Sequence, residues 1–240
     1  GKGATMIWNT IFFIILPYIA LTLAIAVGIY RSIYRPFTVS SLSSQLFERK
    51  QLYWGSVSFH YGIVLVLLGH LFALLLPQGQ LLWNAVPIRL YLLELTGLAL
   101  GIWGLVGLCI LLWRRIRNKR VLAVTTPMDL FVLVLVLVSA LTGVLVATFY
   151  RFGSSWFASI FSPYILSLFI FQPRVDLVAP LPWLVKLHVI NFFIMLAVFP
   201  FSRLIHILTY PFAYLVRPWQ IVIRNQKVRR AEKILPEQAE

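Results

Sequence analysis

The sequence predicts an all-α integral membrane protein with five transmembrane helices, and three observations carry that prediction. Apolar runs of eighteen or more residues recur along the chain, each long enough to cross a hydrocarbon core of about 30 Å. Charged residues make up only 12% of the 240 positions, about half their share in an ordinary soluble domain. The basic residues are gathered into clusters between the runs rather than spread through them.

Taken in order, the expected spans cover roughly 6–30, 53–76, 90–113, 127–149 and 182–208. The chain starts with glycine, and its first apolar run shows no clear cleavage signature, so it reads as a retained helix. Arg31, Arg35, Arg49 and Lys50 lie between spans one and two, and Arg114, Arg115, Arg117, Lys119 and Arg120 between spans three and four. Arg203, Arg217, Arg224, Lys227, Arg229, Arg230 and Lys233 follow at the end of span five and in the tail. With five spans these sixteen of the twenty-one basic residues share one side, leaving Lys2, Arg89, Arg151, Arg174 and Lys186 on the other. The positive-inside rule then places the N-terminus outside and the tail in the cytoplasm. A net charge of +14 is thereby explained by membrane orientation, with no nucleic-acid partner.

Span four opens at TTPMD (125–129), which has the order of a helix start: Thr126 as N-cap, Pro127 at the first helical position, Asp129 two further on. The stretch ASIFSPYILSLFIFQP (158–173) is apolar but short and carries Pro163 and Pro173. If it spanned, the final helix would invert and put the basic tail outside, so it is expected as an interfacial or re-entrant piece on the outer face. Residues 1–210 thus form the membrane domain, and 211–240 a basic cytoplasmic tail suited to docking partner subunits. The one thiol, Cys109, allows neither an intrachain disulfide nor a Cys-x-x-Cys-His haem attachment.

All four histidines lie in two spans: His60 and His70 in the second, His188 and His206 in the fifth. The two helices run in opposite directions. His60 and His206 therefore fall at the inner level, His70 and His188 at the outer one. A lone membrane histidine commonly just bonds a neighbouring helix, but ionisable groups at this depth are rare and usually functional. One shared metal ion is excluded, because His60 and His70 are about 15 Å apart along an ideal helix and His188 and His206 about 27 Å. Two ions with two imidazoles each would be under-coordinated unless a macrocycle supplied four more nitrogens, as haem does. Bis-histidine haem has no open position and suits electron transfer. Pro200 lies between His188 and His206 as a plausible bend. Gly62 and Gly69 would let either a porphyrin or a neighbouring helix approach span two.

The stretches SSQLFERK (43–50), FHYGIVLVLLGH (59–70) and KLHVINFFIMLAVFPFSRLIH (186–206), with their spacing, carry a resemblance to a known family. The chain resembles the gamma subunit, a dihaem cytochrome b, of membrane-bound respiratory nitrate reductase. The resemblance implies two haems b, with His70 and His188 on the outer and His60 and His206 on the inner. It implies quinol, menaquinol or ubiquinol, oxidised near the outer haem. An iron–sulfur beta subunit and a molybdenum alpha subunit would then carry the electrons to nitrate, at the cell's inner membrane. Gly69, His70, Arg89, Tyr91 and Glu94 are the quinol-site candidates. Where the family has a lysine linked to quinol binding, this chain has Tyr91. Glu94 would take a quinol proton, or pair with Arg89 or Lys186. Arg49 and Arg203 are candidates for the inner haem's propionates, or else face solvent or lipid. The run WQIVIRNQKVRR (219–230) fits a docking surface or an anionic-lipid contact. Other readings are a quinone-linked subunit of a related molybdoenzyme or nitrite oxidoreductase, or a non-redox transporter using its histidines as a relay.

Overall fold

The computed structural model describes residues 2–35 and 50–207, and among these every regular element is helical. Five helices are long and apolar enough to cross a membrane: Thr5–Tyr34, Lys50–Leu75, Pro87–Arg117, Pro127–Phe149 and Trp183–Phe201. They are the five expected runs in the expected order, and span four has the expected bounds. Arg49, nearly all of SSQLFERK and the basic tail from 208 onward lie outside the described residues.

Span two packs along span three, three on four, four on five, and five on span one. The seam between two and three is made of backbone. A Cβ at Gly62 would stand 2.7 Å from the Cα of Gly104, and one at Gly107 would stand 2.4 Å from the amide nitrogen of Phe59. Lipid is as apolar as leucine, so membrane helices gain little from burying side chains and associate instead through close contact at small residues. Gly62 thus serves helix packing. Gly69 does not, since a Cβ there would meet nothing within 4 Å.

Two prolines set the shape of the other seams. Pro17 and Pro77 have no N–H, so the carbonyls four residues back, at Phe13 and Ala73, lose their helical partners. In a hydrocarbon setting an unpaired carbonyl costs several kcal/mol. Both are satisfied from one place: the Tyr164 hydroxyl donates to Phe13 O at 2.8 Å, and the Ser162 hydroxyl to Ala73 O at 3.0 Å. Tyr18 repays the contact by donating to Leu168 O at 3.1 Å.

These bonds hold the stretch 158–173, expected as an interfacial or re-entrant piece, against the spans, and it is not one of the five long apolar helices. It continues Gly153–Trp156 through a π turn, Phe157–Phe161, into Ser162–Phe169, and Phe161, Tyr164, Ile165 and Leu168 are buried in one cluster with Phe13, Ala20, Val189 and Phe193. Its hydroxyls are what the interior needed. Phe152 and Phe171, both with positive φ (63° and 57°), bracket the helical run 153–169. That conformation costs a non-glycine residue roughly 1–2 kcal/mol, here spent on turning the chain into and out of the bundle.

Span four starts as its sequence announces. Asp129 N–H donates to Thr126 Oγ1 at 3.2 Å and Thr126 N–H to Asp129 Oδ2 at 3.0 Å, a complete capping box. Span five is shorter than expected. Its α-helix stops at Val198, Phe199–Phe201 tightens into a 3-10 turn, and Ser202 is extended before a second short turn, Arg203–Ile205. Pro200 therefore ends the helix rather than bending it, and His188 and His206 are not on one continuous helical face.

Candidate functional site

The break in span five carries His206 to His60. Their ring centroids are 6.5 Å apart, with planes inclined by 57°. At the other level His188 lies within electrostatic reach of His70, and the Phe157 ring stands edge-on to His70 at 5.1 Å. The structure thus brings His60 and His206 together from two spans that do not pack along each other. His60 and His70 are exposed in the bare chain, while His188 and His206 are half-buried.

Each imidazole is held through Nδ1. His60 Nδ1 donates to Ser56 O at 2.7 Å, His70 Nδ1 to Val66 O at 2.8 Å, and His206 Nδ1 to Arg203 O at 2.6 Å. A carbonyl can only accept, so all three carry their proton on Nδ1. His188 Nδ1 is 2.8 Å from Thr142 Oγ1, and that hydroxyl spends its own proton on Val138 O at 2.6 Å. The threonine oxygen therefore accepts, and His188 has the same tautomer. In all four rings Nε2 is left with its lone pair, the state a metal requires of a histidine ligand.

The spacing of His60 and His206 bears on whether they fit a bis-imidazole group. With metal–imidazole bonds of about 2 Å, two rings on opposite sides of one ion have centroids roughly 6 Å apart. The 6.5 Å between His60 and His206 meets that requirement. Among the described residues no three His, Cys, Asp or Glu side chains converge on one point. The His60–His206 pair could thus supply two nitrogens to one metal, and further donors would have to come with the bound group, as they do in haem.

Several residues at the site were not legible beforehand. Thr142 and Gly143 sit side by side on span four, and a Cβ at Gly143 would be 3.2 Å from His188 Cε1. The threonine fixes the ring and the glycine makes room for it. One turn on from His188, buried Asn191 donates to Leu135 O at 2.9 Å and to Ser139 Oγ at 2.5 Å, locking span five to span four. The available signal was SALTG (139–143), a small and polar interruption of a Val/Leu run.

The remaining candidates divide. Glu94 pairs with neither Arg89 nor Lys186. Its Oε1 accepts from Ser154 N–H at 2.9 Å and from the Ser154 hydroxyl at 2.5 Å, which joins it to a buried chain through Asn84 to Gln80. Arg89 lies over the Trp83 ring at 5.4 Å, and Lys186 donates to Ala179 O. Tyr91 is exposed, with its ring 6.2 Å from Phe152. The loop after span four thus joins Tyr91, Glu94 and His70 through Phe152, Ser154 and Phe157. Arg203 is ion-paired, its Nε 3.1 Å from Asp129 Oδ1, with 34% of its side chain exposed.

Comparison with known proteins adds a family. The model described as nitrate reductase gamma subunit matches residues 9–225. The nitrate reductase gamma chain of Bacillus subtilis is 33% identical over 211 residues, covering 86% of this chain and 94% of the relative. The respiratory nitrate reductase 1 gamma chain of Escherichia coli is 32% identical over 222 residues, 89% of this chain and 96% of the relative. The nitrate reductase-like protein NarX of Mycobacterium tuberculosis is 32% identical over 225 residues, 90% of this chain but 34% of that longer protein.

Proposed function

The chain belongs to the nitrate reductase gamma subunit family, and from that premise we propose that it is the dihaem, quinol-oxidising membrane subunit of a respiratory nitrate reductase. It is a multi-pass membrane subunit with an electron-transfer role, working with the other subunits of that complex. His60 and His206 hold the inner haem b, His70 and His188 the outer one. The observation that carries this is the shared state of the four rings: each has Nδ1–H tied to an acceptor, which leaves Nε2 for iron. Bound there, two bis-histidine haems b supply one-electron transfer from the outer face of the cell's inner membrane to an iron–sulfur beta subunit, which serves a molybdenum alpha subunit.

The residues do the rest. Thr142 and the backbone carbonyls of Ser56, Val66 and Arg203 orient the imidazoles and raise their basicity. Gly143 clears the volume that the His188 ring needs. A quinol headgroup, menaquinol or ubiquinol, approaches His70 at the end lined by Gly69, Tyr91 and Phe152. Glu94 takes a hydroxyl proton there, exchanging its Ser154 partner for the quinol. Arg89 stays with Trp83 at the rim.

A pyridine haemochrome assay tests the reading. Two b haems per purified chain is the expected result. None would leave the histidines as a relay of another kind and end the proposal. A finer test is Thr142→Val, which removes the acceptor of His188 at nearly constant volume. Outer-haem retention should weaken roughly 10- to 100-fold, the usual cost of losing an outer partner of a metal ligand, with the inner haem unaffected in the same spectrum.

A further inference from the structure

His206 lies outside the regular part of span five, so no unbroken ladder of i→i−4 bonds from that helix fixes its position. Yet its ring meets His60. What holds it comes from elsewhere. Arg31, near the end of span one, donates through Nη1 to Pro200 O at 2.7 Å and to Ser202 O at 3.0 Å. These carbonyls flank the extended turn, where helical partners are missing. Ser202 is itself buried, its hydroxyl accepting from Leu204 N–H and donating to Phe199 O.

The second anchor is a carboxylate. Asp129, 11% exposed, takes Arg203 Nε at 3.1 Å on Oδ1 and has Arg115 Nη1 at 3.8 Å from Oδ2. Arg203 is the residue whose carbonyl receives the His206 Nδ1–H. The ends of spans one, three and four therefore converge on six residues that deliver one imidazole. A charge cluster of this kind is costly near a membrane unless each member is paired. Here the pairing runs straight to the ligand's hydrogen-bond acceptor.

We propose that Arg31 and Asp129 are positioning residues for His206, clamping the break in span five so that the imidazole stays facing His60, where the two would hold the inner haem. The proposal rests on the haem reading above. Neither residue touches the haem. Both act through the backbone of 200–206 and the carbonyl of Arg203.

The test is a redox titration of membranes carrying the whole complex, followed by haem absorbance and by EPR, with wild type, D129N, D129E and R31M. Asparagine keeps an acceptor for the Thr126 cap and loses only the charge. A less firmly held imidazole donates less to iron and favours the reduced form. Both D129N and R31M should therefore raise the inner haem's reduced-to-oxidised ratio at fixed ambient potential by threefold or more, with the outer haem unmoved and two haems retained. Simple charge effects would push the two variants in opposite directions, because one removes an anion and the other a cation. D129E should restore the wild-type ratio. Opposite shifts, no shift, equal shifts of both haems, or failure of D129E to restore the ratio would each overturn the clamp. Should D129N not accumulate in the membrane, R31M carries the test alone, and a fall or no change there overturns it. Wild-type membranes lacking two haems would instead overturn the haem reading itself.

Discussion

His206→Ala is expected to erase one of two haem signals and leave the other in place. The imidazole is the partner of His60 at 6.5 Å and is fixed by a 2.6 Å bond to Arg203 O. Among the described residues no further His, Cys, Asp or Glu completes a cluster there. Removing a ligand outright should exceed the 10- to 100-fold loss typical of an outer partner, so the inner haem should be absent rather than weak. His188 and His70 belong to a separate level with its own anchors, Thr142 Oγ1 and Val66 O, and the outer haem should persist. Quinol-to-nitrate electron flow should then fail although the outer haem still reduces. Haem content with low-temperature spectra reads both outcomes, and equal loss of both signals would contradict the pairing.

The second large effect concerns the seam between spans two and three. Gly107→Val would place a branched side chain where a bare Cβ already lies 2.4 Å from Phe59 N and 2.8 Å from Gly55 O. Both neighbours are backbone, so the collision cannot be relieved by moving a flexible tip. Overpacking commonly costs 1–3 kcal/mol, and a branched residue against two helix backbones should reach the upper part of that range, about 3 kcal/mol. Phe59 directly precedes His60, so the displacement should also disturb the inner pair. Thermal unfolding in detergent should show a clearly lowered transition for Gly107→Val. Gly69→Ala, on the same span two but with nothing within 4 Å, should unfold like wild type. Equal behaviour of the two variants would mean the seam is not a stability determinant.

Much of the architecture could be read from the chain alone. Five spans follow from length and apolar content, because a bilayer demands about 20 apolar residues per crossing and tolerates little else. The start of span four was legible because Thr126, Pro127 and Asp129 act within one helical turn. The pairing of histidines by level followed from counting along two oppositely directed helices, and His60 and His206 do come together.

Other decisions belong to the tertiary structure. A membrane helix that is apolar all round shows no amphipathic face, so nothing in span two announced that Gly62 meets span three while Gly69 meets nothing. Glu94 finds Ser154 sixty residues away, and His188 finds Thr142 at forty-six, distances over which local spacing is silent. Arg203 turned to Asp129 because a carboxylate and a guanidinium near lipid must pair with whatever the fold brings close. The segment 158–173 packs against the spans for a similar reason, since Pro17 in span one and Pro77 just after span two leave carbonyls that its hydroxyls reach. The one-dimensional chain settled which stretches cross the bilayer and which residues can ligate, because both depend on local composition. Which partner each polar atom found was settled by folding, because in a medium without water every such atom must be satisfied by another part of the same protein.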